Sequence, residues 1–176
     1  MSDNNFVMAS VLFDTAGRID TLLGDTAARL QRDGLQVAGY VQFKRASTGQ
    51  RPLVYARQLA TGTETAITRN NGKLASGCKL DSDALAALSS DLEYSLSDHP
   101  DILIIARFGR SEAEGRGLRD TISQALMAGI PVLVGVRQEY KDVWQEFQGG
   151  IAQILPQDPT EILQWCQHAV GTKVTC

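Results

Sequence analysis

The stretch "DILIIARF", residues 101–108, sets five apolar residues in a row, Ile102 to Ala106, with no polar alternation. A strand without a polar face must be covered on both sides, a condition met where helices flank a parallel sheet. The neighbouring segments agree. Downstream come a helical pattern near 114–128, the strand-like "PVLVGV", a helical pattern near 139–147, "IAQIL", and a helix over 159–170 that starts on Pro159, a residue suited to a first turn. Upstream, "VMASVLF" reads as a strand, and Ile19, Leu23 and Leu30 then fall on one face of a helix that ends at Gly34. Strand–helix alternation at both ends predicts a three-layer α/β fold with a mainly parallel sheet, in one domain over residues 1–176. Between these ends, "LQVAGYVQF", "RPLVYARQL" and "TETAITR" are short β-rich runs divided by "ASTGQ" and "ATG", and they predict an antiparallel β-meander after the first helix. A further helix over "DSDALAALSSDLEYSL" follows from the spacing of Leu85, Leu88, Leu92 and Leu96, with Asp81 as its N-cap.

The formal net charge of −3 excludes a broad electrostatic grip on nucleic acid, which needs concentrated positive charge. Any anion must therefore be held locally. The N-terminus has no basic, apolar leader pattern and no stretch long enough to insert in a membrane, so a cytoplasmic location is expected. Cys78, Cys166 and Cys176, with His99 and His168, show no spacing that predicts a disulfide framework or a metal site. Trp144, Phe147 and Trp165 fall on amphipathic helices and read as core or interface residues.

In parallel α/β sheets ligands bind beyond the carboxyl ends of the strands, and two loops lie there. The first, "DTAGRID", offers Gly17 and Arg18 but sets Asp14 and Asp20 beside them. It lacks the G-x-x-x-x-G-K-[ST] pattern whose lysine and backbone N–H groups cradle phosphates. It reads equally as an ordinary turn, with Asp20 favouring the positive start of a helix. The second, "FGRSEAEGRG" at residues 108–117, contains Ser111 and Glu114 in the spacing of a capping box. That leaves Gly115 and Gly117 unexplained, since a glycine early in a helix costs about 1 kcal/mol relative to alanine. Close approach of the backbone to a ligand would account for them. Arg107, Arg110 and Arg116 can then present planar donor forks to an oxyanion, whereas surface pairing with Glu112 and Glu114 is the plainer alternative. The segment "GCKLD" adds Lys79 as a further cation, and Cys78 as a ligand, a nucleophile or, more commonly, a small buried hydrophobe.

The segments "GYVQF", "GCKLD", "FGRSEAEGRGLRD" and "AGIPVLVGV", in this order over nearly the whole chain, resemble the bacterial domain of unknown function 2478 family. That resemblance implies an association with molybdenum ABC transporter ATPases. The element order is also similar to that of the cancer-related type of nucleoside-triphosphatase, which implies a P-loop NTPase-like fold. Those enzymes carry an acidic strand-end motif, D-E-x-G-x-x-E. Here Ala106 and Arg107 stand in place of its first two acids, while Gly109 and Glu112 keep the matching positions. A cation in place of a magnesium-holding acid, together with the missing loop lysine, predicts a protein that does not hydrolyse nucleotides by the metal-dependent route. The expected function is therefore binding of a small oxyanion or phosphate-containing ligand, such as molybdate, tungstate or a nucleotide, as an accessory of molybdenum uptake or regulation. Two alternatives stand beside it: a degenerate nucleoside-triphosphatase in which Glu112 orients water, and a module that docks on a molybdenum transporter ATPase.

Overall fold

A computed structural model describes residues 6–70 and 78–172; the side chains of Ser47, Asn70, Cys78, Lys79 and Thr172 fall outside the described residues. Strand β1 (Met8–Phe13) runs into helix α1 (Ala16–Arg32), whose buried stripe Ile19, Leu23, Ala27 and Leu30 packs on the sheet. The helix closes at Gly34, which has φ +87° and donates its N–H to Gln31 O at 3.0 Å. Strands β2 (Val37–Ser47), β3 (Gln50–Gln58), β4 (Glu64–Ala66), β5 (Thr68–Asn70) and β6 (Cys78–Leu80) follow, then helix α2 (Ser82–Leu96). Asp81 caps α2 by accepting the N–H groups of Asp83 and Ala84, as its position before the leucine stripe predicts.

The second half is β7 (Ile102–Phe108), α3 (Arg110–Ala113), α4 (Arg119–Met127), β8 (Val132–Arg137), a 3-10 turn at Gln138–Tyr140, α5 (Lys141–Gln148), β9 (Gln153–Leu155) and α6 (Pro159–Thr172). The main sheet has seven strands in the order β4-β3-β2-β7-β8-β1-β9. Its β2, β7, β8, β1 and β9 are mutually parallel, and β3 and β4 continue it antiparallel at one edge. The unbroken apolar run of β7 is buried from Ile102 to Ala106 because both faces are covered. Helices α1 and α6 cover one face through Leu23, Ile162 and Cys166. On the other face lie α2, α4 and α5, through Leu92, Ile122 and Trp144. This is the three-layer α/β architecture expected from the alternation. Trp144 meets Phe108 edge-on, with ring centroids 5.1 Å apart, and so belongs to the core.

The meander follows the first helix as the sequence predicts, and two other details depart from that reading. The meander is an extension of the parallel sheet: β2 pairs with β7 through Val37–Tyr40, then continues past the sheet to pair with β3 as far as Ser47. The run "TETAITR" breaks at Ile67, so that β4 stays on β3 while β5 pairs with β6 in a separate two-stranded sheet. The break is fixed by cross-bonds. Ile67 is buried and donates its N–H to Val54 O at 2.8 Å, and the next residue, Thr68, accepts the Val54 N–H at 2.9 Å through its hydroxyl. The helix expected near 114–128 starts only at Arg119, as α4, and a separate short helix, α3, precedes it, with Gly115 and Gly117 between them at φ +81° and +71°. Left-handed backbone is the residue-level reason for both glycines.

Candidate functional site

A crevice of about 220 Å³ opens at the carboxyl ends of β1, β7 and β8, where the topology of parallel sheets places ligand sites. Its wall includes Phe13 from β1, Tyr40 and Gln42 from β2, Arg107 from β7 and Arg137 from β8. Local irregularity in β7 aims the key side chain. The β7–β8 register shifts between Ile105 and Phe108, and Ala106 O lies 2.1 Å from where a Cβ on Gly135 would stand. Only a glycine in β8 lets that carbonyl approach, and bulges of this kind re-aim side chains beside sites.

Arg107 leaves this irregular point toward α1, where its Nε and Nη2 donate to Asp20 Oδ2, the Nε bond at 3.1 Å. The other Asp20 oxygen accepts the Gln42 N–H at 2.9 Å. Asp20 is 6% exposed and Arg107 23%. Burial pushes the Asp20 carboxyl above its usual range, against the pull of Arg107 and of the Gln42 N–H. Tyr40 donates its hydroxyl to Arg107 O at 3.3 Å, and burial together with the nearby Glu112 charge pushes the phenol up. The phenol stays a donor. The expectation of Arg107 as an open cation is thereby corrected: its charge is already answered by an acid of α1. Asp20 likewise lies in the second turn of α1 and serves this pair, where the sequence had suggested a helix-start acid.

Glu112 is buried within the short α3. Its Oε2 accepts the Gly109 N–H at 3.0 Å and its Oε1 the Leu118 N–H at 3.2 Å, while Arg119 holds its main-chain carbonyl. The capping interaction thus runs from Gly109 to Glu112, three residues on, and not from Ser111 to Glu114 as the motif predicts. Gly117 completes the arrangement, since a Cβ there would stand 2.3 Å from Glu112 Oε1. Burial pushes the Glu112 carboxyl above its usual range, against the two N–H groups and the Arg119 charge. A carboxyl raised on folding stabilises fully below its ordinary value and loses that contribution as pH rises through the folded value. The stability advantage of the wild type over Glu112→Gln is therefore expected to shrink as pH rises above 4.5, the ordinary value. Urea unfolding over a pH series measures this, and an advantage that grows with pH would mean the N–H bonds outweigh burial.

The remaining sequence candidates scatter. Arg110 lines the crevice and pairs with Glu114 at 2.9 Å, but its side chain is 77% exposed. Arg116 pairs with the same Glu114, and neither Arg116 nor Gly115 lines the crevice. Gly17 and Arg18 sit exposed in the first turn of α1, outside the crevice wall. The physical reason is loop length: only Asp14 and Thr15 separate β1 from α1, too few residues to wrap a phosphate. Cys78 and Lys79 have a described backbone in β6, but their side chains lie outside the described residues. Sequence reading missed Arg137, Tyr40 and Gln42. Arg137 was findable, because it ends "PVLVGVR" at a strand carboxyl end; Tyr40 and Gln42 depend on β2 running beside β7.

Arg110 and Arg137 are the adaptable cations. Arg137 pairs with Glu139 at 2.8 Å and both side chains are about half exposed, and such pairs contribute little and exchange readily. The crevice can accept an anion by releasing one of these acids. It offers no free acid for water activation among the described lining residues, because Glu112 is committed to backbone N–H groups.

The fold and the crevice define a three-layer α/β domain with a P-loop NTPase-like arrangement that carries an arginine, Arg107, at the end of β7. The chain belongs to the family described as protein of unknown function (DUF2478), which it matches over residues 8–165. It is 36% identical over 159 residues to the molybdenum import ATP-binding protein ModC 2 of Bradyrhizobium diazoefficiens. The match covers 90% of this chain and 18% of that relative, so the chain spans less than a fifth of the curated protein's length. Two solved structures share its fold. One is THEP1 from the hyperthermophile Aquifex aeolicus, with TM-score 0.60, 12% identity, and 90% of this chain and 95% of that chain covered. The other is a human cancer-related nucleoside triphosphatase, with TM-score 0.63, 11% identity, and 96% and 98% covered. Among the described residues no helix is long and apolar enough to cross a membrane.

Proposed function

We propose that this chain is a non-hydrolysing binding domain for a small oxyanion or phosphate-containing ligand, acting as an accessory in molybdenum uptake or its regulation. The observation that carries the reading is the convergence of Arg110 and Arg137, from α3 and β8, beside the Asp20-paired Arg107 of β7, on one crevice at the strand carboxyl ends. Guanidinium forks suit oxyanions. The molybdenum context is supported by the similarity to a molybdenum import ATP-binding protein. The absence of hydrolysis is supported by the engaged Glu112 carboxylate and by the Asp20–Arg107 pair, which sits at the strand end where the related enzymes' motif carries acids.

Thermal-shift and calorimetric titration with molybdate, tungstate, phosphate, ADP and ATP tests the reading. A ligand at about 100 times its Kd adds roughly 2.7 kcal/mol of stability, a clear rise in Tm. Arg137→Ala is expected to weaken that ligand about tenfold, the scale of a lost charged hydrogen bond in an open site. No response to any of these anions would remove the binding function. Magnesium-dependent phosphate release on the order of 1 per second, abolished in Glu112→Gln, would replace it with a hydrolase.

A further inference from the structure

The anion-binding reading leaves open what kind of molecule carries the anion, and the remaining wall of the crevice bears on that. Opposite chemistries share the cleft. Besides its guanidiniums, the crevice is lined by Phe13, Ala16, Ile67, Leu80 and Leu85, contributed by β1, α1, the β4–β5 break, β6 and α2. Leu80 stands out among them, because it is 46% exposed in a strand of three residues and so presents a large apolar side chain at the rim. Arg107 is meanwhile held by Asp20, which leaves the anion to Arg110 and Arg137, both of them well exposed.

A bare tetrahedral oxyanion is poorly matched to such a wall. Every oxygen of molybdate or phosphate needs a donor or water, and oxygens turned toward leucine and phenylalanine side chains lose hydration without compensation. An apolar body on the anion reverses the sign, since it takes up that surface and releases its water. Ligand sites generally combine a mostly apolar wall with a few placed polar groups that orient the ligand. The size agrees: about 220 Å³ lies below the 300–1,000 Å³ or so typical of drug-sized ligands, and it corresponds to roughly seven waters at about 30 Å³ each. That suits a single ring or a short branched chain, with the charged head at the open, arginine-bearing side.

Resting on the crevice as the binding site, we infer that its ligand is a small organic anion, with one phosphate or carboxylate head and an apolar body of about one ring, in preference to a bare oxyanion. The apolar rim selects and the guanidiniums orient.

Calorimetric titration of the whole chain with phenyl phosphate, benzoate, inorganic phosphate and molybdate separates the cases. Phenyl phosphate or benzoate is expected to bind at least about tenfold more tightly than either inorganic anion, which corresponds to burial of one or two methylene equivalents beyond the head group. Its binding heat capacity is expected to be negative, the mark of apolar burial. Leu80→Ser should erase most of that preference, read as the ratio of phenyl phosphate to inorganic phosphate affinity in the same variant, and circular dichroism checks that the half-exposed site keeps its fold. The two organic probes tell a phosphate head from a carboxylate head. Inorganic phosphate or molybdate binding as tightly as the ringed probes, or a preference untouched by Leu80→Ser, overturns this inference and leaves the anion-binding function standing. No binding by any of the four overturns this inference, and the binding function falls with it only if tungstate, ADP and ATP fail as well.

Discussion

Alanine at Gly39 is expected to cost about 4 kcal/mol or more, enough to leave a domain of ordinary stability near its unfolding threshold. Gly39 has φ +118°, and a Cβ there would stand 1.8 Å from Ile104 O and 2.9 Å from Ile104 N. These are backbone atoms of the directly paired strand, in the register Gly39↔Ile104, so no rotamer change relieves the overlap. Relief requires β2 to leave β7, and that withdraws Tyr40 and Gln42 from the crevice. Gly34→Ala provides the comparison. Its φ of +87° is also left-handed, but nothing lies within 4 Å of a Cβ there, so only the conformational cost of about 1–2 kcal/mol applies. Urea denaturation followed by circular dichroism ranks the two, and a Gly39→Ala protein no less stable than Gly34→Ala would contradict the close approach of β2 and β7.

Removal of the Asp20 carboxylate by Asp20→Ala is expected to destabilise by about 3 kcal/mol, toward the low end for one partner of a buried ion pair. The low end applies because Arg107 retains 23% exposure. Two groups lose their acceptor: the Arg107 guanidinium and the Gln42 N–H. Most of the loss comes from the stranded cation, so the double variant Asp20→Ala/Arg107→Met should recover a large part of it, with the orphaned Gln42 N–H keeping about 1 kcal/mol. A double variant as unstable as the single one would show that the pair is incidental to stability. The functional consequence is direct: Arg107 shapes the floor of the crevice as half of a neutral pair, and the exposed Arg110 and Arg137 are left to meet a ligand.

The family segments, the helix pattern and the long apolar strand made the architecture legible. Period-3.6 stripes such as Leu88, Leu92 and Leu96 are local, and burial of one helix face follows from them whatever the topology. The position of the crevice was legible for the same reason, since loops after buried strands lie at strand ends in any parallel sheet. Residue roles inside "FGRSEAEGRG" were less so. The motif fits Ser111 and Glu114, whereas Gly109 and Glu112 share only its spacing, and the choice depends on where β7 releases the chain.

By itself the sequence determined that helices would cover both faces of a mainly parallel sheet, and that arginines and glycines would gather where β7 ends. Tertiary structure alone decided that Arg107 meets Asp20, 87 residues away, that β2 serves both the parallel sheet and the antiparallel edge, and that Leu80 reaches the rim of the same crevice. The reason is physical. Hydrophobic periodicity acts over a few residues and is written along the chain, whereas charge pairing and hydrogen-bond satisfaction depend on distances that exist only after distant strands have been brought side by side.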